Sequence, residues 1–296
     1  MKITVFTPTY NRRHTLNKLY RSLQKQNYRN FEWLVIDDGS TDNTFELFEE
    51  WTKENSGFEI RFFRIDNGGK HRAINKGGEL AKGELFFIVD SDDYLTEDSL
   101  QSIIEWENTI DDKDSYCALA GNKGRSVDTI VGSTFKGEYI DATSLERYEL
   151  NITGDKAEVF YTEVLKRYKF DEIEGETFIT ERTVWDRMAF DGLNVRWFNK
   201  IIYLCEYLED GLTRSGDELY SNNPKGTAIA FKQMMKFNDV SIKDRLVMYY
   251  SYYSLVENKI CLEEAARNLE IRPSMLWFVF YMGKIKMLLN KRRKSF

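Results

Sequence analysis

The chain has 296 residues, 42% of them hydrophobic and 30% charged, with a formal net charge of -6. That supplies enough apolar material for one large buried core plus an appendage, and the acidic balance argues against nucleic acid as a partner. Three widely spaced cysteines, Cys117, Cys205 and Cys261, form no CxxC pair and cannot all pair with one another, which excludes a disulfide framework and points to free thiols in a reducing compartment.

Residues 3–7 are a short β-branched apolar run, read as a strand. The run stops at Pro8 and Asn11, too soon for a signal peptide. Leu16, Leu19, Tyr20 and Leu23 recur at helical spacing over 14–26. A second strand over 31–36 leads into Asp37-Asp38-Gly39-Ser40, where Ser40 or Thr41 can cap a helix. A third strand follows over 58–65, a helix over 73–81, and a fourth strand over 84–89 that ends in Asp90-Ser91-Asp92-Asp93. This alternation predicts an α/β fold with parallel strands and crossover helices. Short strands over 117–120, 158–165 and 201–208, with an acidic segment over 171–181 and a helix over 181–191, can complete the sheet. Beyond Pro224 the pattern is helical, over 225–237, 241–257, 262–269 and 273–289. The expected division is an α/β catalytic domain over 1–220 and a helical region over 221–296. No stretch of 18 apolar residues is present, so no bilayer span is expected. The expected location is the cytoplasm, with peripheral contact to the inner membrane face left open.

Three polar clusters follow strand C-termini: Thr7-Pro8-Thr9, Asp37-Asp38 and Asp90 to Asp93. Open α/β sheets bind ligands along that edge. In extended backbone Asp90 and Asp92 point to one side, flanking Ser91, so their carboxylates can share a divalent cation. Oxygen-only ligands suit Mn²⁺ or Mg²⁺, which also bind diphosphate oxygens. The plainer alternative is an aspartate-rich turn capping a helix near Thr96. In the second cluster a carboxylate can accept the imide N–H of a uracil or thymine ring. Gly68 and Gly69 permit close backbone approach, with Lys70 and Arg72 as phosphate cations. Near residue 180, a carboxylate of Glu174-Gly175-Glu176 or of Thr180-Glu181-Arg182 can take a proton from an attacking hydroxyl; a capped helix start is the plainer alternative.

These segments together resemble the family 2 glycosyltransferases, which have the GT-A fold. The resemblance rests on Thr7-Pro8-Thr9-Tyr10-Asn11-Arg12, Val35 to Asp42, the stretch from Gly69 through Ala73-x-Asn75-x-Gly77, and Ile88 to Asp93. A weaker match follows at Glu174 to Glu181 and at Tyr207-Leu208-Glu209-Asp210-Gly211-Leu212-Thr213. It implies a GT-A-like, mixed but mostly parallel sheet flanked by helices, with a C-terminal helical extension. It also implies an inverting transfer from a nucleotide-diphosphate sugar, most simply a UDP-sugar, to a saccharide or lipid-linked saccharide in cell-surface polysaccharide assembly. Thr7, Pro8 and Thr9 would line the nucleotide pocket, with Arg12 near phosphate. Asp37, beside Asp38, would read the base, and Lys70 and Asn75 would lie beside the donor. Asp90 would sit near ribose and metal, and Asp92 would bind the metal directly. The family's Glu-Asp pair reads Glu181-Arg182 here, so Glu181 is the expected base, with Glu176 and Asp186 as alternatives. An inactive nucleotide-sugar-binding or scaffold protein, and a nucleotidyltransferase, are the competing readings. The last helix pairs aromatics with a basic end, which suits a membrane surface, a core contact or a homo-oligomer.

Overall fold

A computed structural model describes residues 2–205 and 216–293, with side chains as far as 285. The first strands, β1 (Ile3–Thr9) and β2 (Phe31–Asp37), are buried along their whole length. That is the mark of parallel strands covered on both faces. Between them runs α1 (Arg13–Gln24), which buries Leu16, Leu19, Tyr20 and Leu23. Next come α2 (Thr44–Trp51), β3 (Glu59–Arg64), α3 (Lys70–Leu80), β4 (Leu85–Ile88), β5 (Tyr94–Leu95) and α4 (Ser99–Glu107). Beyond a short 3-10 turn lie β6 (Tyr116–Ser126), β7 (Thr129–Ile130), β8 (Tyr139–Ala142), β9 (Lys156–Tyr161), α5 (Thr162–Arg167), α6 (Arg182–Phe190) and β10 (Asn194–Leu204). The remaining helices are α7 (Gly216–Ser221), α8 (Pro224–Phe237), α9 (Ile242–Val256), α10 (Leu262–Asn268) and α11 (Pro273–Arg293).

Among the described residues the strands form one mixed sheet in the order β3-β2-β1-β4-β9-β6-β10-β5, with β7 on β6 and β8 on β10. The first four strands are parallel, so Thr9 stands beside Asp37 and Asp37 beside Arg64 at one edge. Strand β9 runs antiparallel to both β4 and β6, and β10 runs parallel to β6. The C-terminal ends of β6 and β10 therefore reach the same edge. Trp33 anchors the core under α1 and α2, packed against Tyr20, Phe48 and Trp51. Gly77 lets α3 lie directly on β1, since a Cβ there would stand 2.2 Å from the Phe6 ring.

The chain divides into two compact units, Met1–Phe170 with Val184–Leu208, and Asp171–Thr183 with Glu209–Phe296. The sequence suggests one cut after residue 220, whereas the structure puts 171–183 with the helical unit, because Glu176 and Thr177 bond to the start of α8 and to Asn223. In that unit α8, α9, α10 and α11 share a core of Tyr252, Val256, Ala265, Leu276 and Phe280.

The mixed, mostly parallel sheet, its flanking helices and the late helices match the sequence expectation. The expected strand over 158–165 is shorter: β9 ends at Tyr161 and Thr162 opens α5, its hydroxyl donating to the Gly83 carbonyl at 2.6 Å. The expected strand over 201–208 is the tail of the longer β10, and its residues 206–208 lie outside the described residues. So does the Tyr207 to Thr213 match.

Candidate functional site

Asp37 ends β2 fully buried. Its Oδ1 accepts the Ser40 N–H at 3.0 Å and the Ser40 hydroxyl. The other oxygen, Oδ2, is buried and receives no hydrogen bond, with Arg64 Nε 3.7 Å away. The Thr9 hydroxyl beside it is likewise buried without a partner. A buried polar atom left bare is costly, so this pair of acceptors asks for a donor from a ligand. Pro8 is buried next to Ile36 on β2. Thr7 is turned into the core, where its hydroxyl accepts the Trp33 indole N–H at 3.0 Å. The two loops over this edge are tied together: Asn11, at a φ of 52°, donates its N–H to Ser40 Oγ at 2.8 Å and accepts from the Thr41 N–H at 2.8 Å.

Asp38 has a different task. Its Oδ1 accepts the Gly68 N–H and its Oδ2 the Gly69 N–H, each at 2.8 Å. Burial pushes its carboxyl up despite those two bonds. The residue thus holds the loop that starts α3, where Gly69 takes a φ of 97° open to glycine. Lys70 follows at the first position of α3 and reaches Asp90, Nζ to Oδ1 2.7 Å. Asn75 sits one turn on, but its amide donates to the Phe170 carbonyl at 3.0 Å and accepts the Phe170 N–H at 2.9 Å. Asp38 and Asn75 are accounted for as loop fasteners.

Beyond β4, Asp90, Asp92 and Asp93 crowd together. Burial opposes ionisation of Asp90, but Lys70 and then Lys123 outweigh it and hold the carboxyl well below the usual carboxylate range. Asp92 is pushed up by burial and then by the Asp90 charge. Asp93 is pushed up to about 7 by the same two causes. Arg12 and Lys70 act on Asp92 in the opposite sense, which places both cations beside the cluster. The Ser91 carbonyl accepts the Thr15 hydroxyl at 2.8 Å, pinning the turn to α1.

Two residues here escape sequence reasoning. Lys123 on β6 is nearly buried, with Nζ 3.5 Å from Asp90 Oδ2 and 4.1 Å above the Tyr203 ring. Tyr203 on β10 accepts the Asp90 backbone N–H at 2.9 Å and donates to Asp93 Oδ2 at 2.7 Å. Their only sequence trace is position: both follow apolar runs that prove to be strands ending at this edge.

Among the described residues no group of three or more His, Cys, Asp and Glu side chains is arranged as a metal cage. The donor chemistry nonetheless fits a hard cation. Asp90 and Asp92 offer carboxylate oxygens in one crowded turn, and after burial it is the Asp90 charge that pushes Asp92 up, a like-charge repulsion that a divalent ion would relieve.

Glu181 lies in the helical unit, partly exposed, one residue before α6. Glu176 in the same unit is buried, its two oxygens accepting the Lys225 and Gly226 N–H groups at 2.7 Å each. A carboxylate on the bare N–H groups of a helix start is a cap, and this one accounts for Glu176. Asp186 is buried in α6 and belongs to the sheet unit.

Comparison with known proteins adds three findings. The family described as Glycosyl transferase family 2 matches residues 4–168. Among curated relatives, the chain is 30% identical over 168 residues to the poly(ribitol-phosphate) beta-N-acetylglucosaminyltransferase TarS of Staphylococcus aureus, covering 56% of this chain and 28% of that one. It is 26% identical over 190 residues to a GalNAc(5)-diNAcBac-PP-undecaprenol beta-1,3-glucosyltransferase of Campylobacter jejuni, covering 62% of this chain and 58% of that one. The chain thus spans less than two thirds of the length of either relative. Among solved structures, S. aureus TarS 1-349 in complex with UDP-GlcNAc superposes with a TM-score of 0.62 at 18% identity, over 97% of this chain and 92% of that one. The mannosyltransferase PcManGT of Pyrobaculum calidifontis, in complex with GDP-Man and Mn²⁺, does so with a TM-score of 0.56 at 15% identity, over 99% and 80%. At those identities the likeness establishes the GT-A architecture.

Proposed function

The chain belongs to glycosyl transferase family 2, and on that premise we propose that it is a metal-dependent, inverting enzyme transferring a sugar from a UDP-sugar to a saccharide hydroxyl in cell-surface polysaccharide assembly. The observation that carries the donor reading is the bare, buried Oδ2 of Asp37 at the same sheet edge as the aspartate cluster. Uracil offers one imide N–H that this acceptor can take, and Lys70 and Arg12 bring positive charge for the diphosphate. The TarS structure holding UDP-GlcNAc favours the same donor class, and the GalNAc(5)-diNAcBac-PP-undecaprenol acceptor named for the Campylobacter relative favours a saccharide acceptor, whereas the acceptor named for TarS is a poly(ribitol-phosphate).

Asp90 and Asp92 would hold Mn²⁺ or Mg²⁺, as the Mn²⁺ in the mannosyltransferase complex favours. When bound, the ion would offset negative charge on the departing diphosphate. The protein's own residues do the rest. Lys123 and Tyr203 hold the turn that carries Asp90, Asp37 orients the base, and Glu181 accepts the proton of the attacking hydroxyl as the anomeric centre becomes oxocarbenium-like.

Titration calorimetry with UDP, GDP and dTDP, each with and without Mn²⁺, tests the donor reading. UDP is expected to bind tightest, and Mn²⁺ to strengthen it in the wild type but not in Asp92→Asn. Release of sugar from UDP-sugars only when an acceptor saccharide is added separates a transferase from an inactive binder. Absence of UDP binding would sink the proposal.

A further inference from the structure

Helix α11 is apolar on two opposite faces. One face belongs to the core of the helical unit: Leu276, Val279 and Phe280 are buried, and Gly283 lies so close to α9 that a Cβ would stand 2.4 Å from the Tyr250 ring. These positions, spaced three and four apart, form a single stripe. Met275, Phe278, Met282 and Ile285 form a second stripe on the far side, and all four are exposed, Phe278 by 58% and Met282 by 51%. Trp277 and Tyr281 border it, their rings 4.8 Å apart and each about half exposed. A helix that is apolar all round is ordinarily covered on every side. Scattered exposed apolar residues are normal, but a continuous row flanked by an aromatic pair marks a contact surface.

The charge pattern says what covers it. From Pro273 onward the chain holds six Lys and Arg residues and no Asp or Glu, in a protein whose net charge is -6. Five of the six, Lys286, Lys291, Arg292, Arg293 and Lys294, follow directly on the exposed stripe in sequence. Among the described residues no helix is long and apolar enough to cross a membrane. An apolar face with interfacial aromatics and a run of cations matches the acyl boundary and headgroups of an anionic bilayer. We propose that α11 docks this face onto an anionic lipid surface, with the helix lying in the plane of the interface. The inference is independent of the sugar-transfer reading.

The test is co-sedimentation of the full chain with phosphatidylcholine vesicles, with and without phosphatidylglycerol. Binding to the anionic vesicles only is expected, weakening as salt is added. Each basic residue near the surface contributes about fivefold in partitioning. Lys291, Arg292, Arg293 and Lys294 changed together to Gln are therefore expected to release the protein by well over tenfold. Phe278→Glu with Met282→Glu changes exposed positions only, so its melting temperature should stay at the wild-type value while vesicle binding is lost. Failure of the wild type to pellet with anionic vesicles overturns the proposal. So does equal pelleting with neutral vesicles. So does a concentration-dependent dimer, seen by light scattering, that the Phe278→Glu/Met282→Glu pair breaks while vesicle binding persists; that result would make a second copy the occupant.

Discussion

Replacing Asp37 with Asn tests the base-reading role without disturbing shape. The Asn carbonyl oxygen can keep both Ser40 contacts that Asp37 Oδ1 now makes, so the amide nitrogen takes the place of the bare Oδ2. An acceptor thereby becomes a donor and meets the donor N–H of uracil. A hydrogen bond to a charged partner contributes about 1.5–3 kcal/mol, and each 1.4 kcal/mol is tenfold in affinity, so UDP should bind on the order of 10- to 150-fold more weakly. Stability should change little, because Arg64, the charged neighbour, is 51% exposed and its pairing is screened by solvent. The sharper expectation concerns specificity. Cytosine presents a bare ring nitrogen where uracil has its N–H, so the variant should gain CDP affinity relative to UDP. Calorimetric titration of UDP and CDP into both proteins reads this directly. Equal loss for the two nucleotides would mean that Asp37 only shapes the loop through Ser40, and UDP binding within a factor of about two of wild type would remove it from the site altogether.

Other outcomes follow from the same structure. Glu181→Gln should lower kcat by about 10²–10⁴ while leaving the UDP dissociation constant unchanged, if Glu181 is the base; single-turnover transfer and calorimetry report the two parts separately. Tyr203→Phe removes the hydroxyl that accepts the Asp90 N–H and donates to Asp93 Oδ2, at a cost of about 1–3 kcal/mol, and should lower the melting temperature by about 2–10 °C. Lys156 is buried, bonded to Asn122 and the Ser133 carbonyl, and burial followed by the Arg147 charge lowers its pKa from 10.5 to about 8. The unfolded chain therefore takes up more protons than the folded one between pH 8 and 10.5, so this residue's contribution to stability rises with pH across that window. Urea titrations at pH 8 and 10 should show that rise in the wild type and its absence in Lys156→Met; equal slopes would contradict the assignment.

The parallel half of the sheet was readable because local pattern and tertiary demand agree there. Strands β2 and β4 are apolar runs closed by Gly39 and the Asp90 turn, and β1 runs on past the expected stop at Pro8 to Thr9; burial on both faces is what such strands need. The order β3-β2-β1-β4 could only be guessed from the alternation. The late strands were blurred for the opposite reason. Nothing in the apolar stretch 158–165 announces that Thr162 will bond to the Gly83 carbonyl and end the strand; that partner is 79 residues away. At the candidate site, residue type is a weak guide to duty. Asp38 and Asn75 have the chemistry of ligand-binding residues, yet their polar atoms fasten Gly68, Gly69 and Phe170. Glu176 looked like a spare base and turns out to cap α8. Short polar side chains bind their own backbone as readily as a substrate, and spacing cannot separate the two uses.

Lys123 and Tyr203 show why a motif confined to the first hundred residues does not by itself make this site. Asp90, Asp92 and Asp93 are mutually repulsive, and desolvation adds to the cost of keeping any of them charged. Lys70 supplies one counter-charge from the same α/β half, but the second comes from β6, and the hydroxyl that fixes the turn comes from β10, 113 residues beyond Asp90. The turn's counter-charges and its hydroxyl partner come from α3, β6 and β10 together. Residues that hold the aspartate turn, proposed above as part of the donor site, are thus distributed over both halves of the sheet unit. Substitutions on β6 and β10 should consequently alter nucleotide binding as readily as substitutions within the aspartate cluster itself, because an electrostatic site belongs to every group that sets its field.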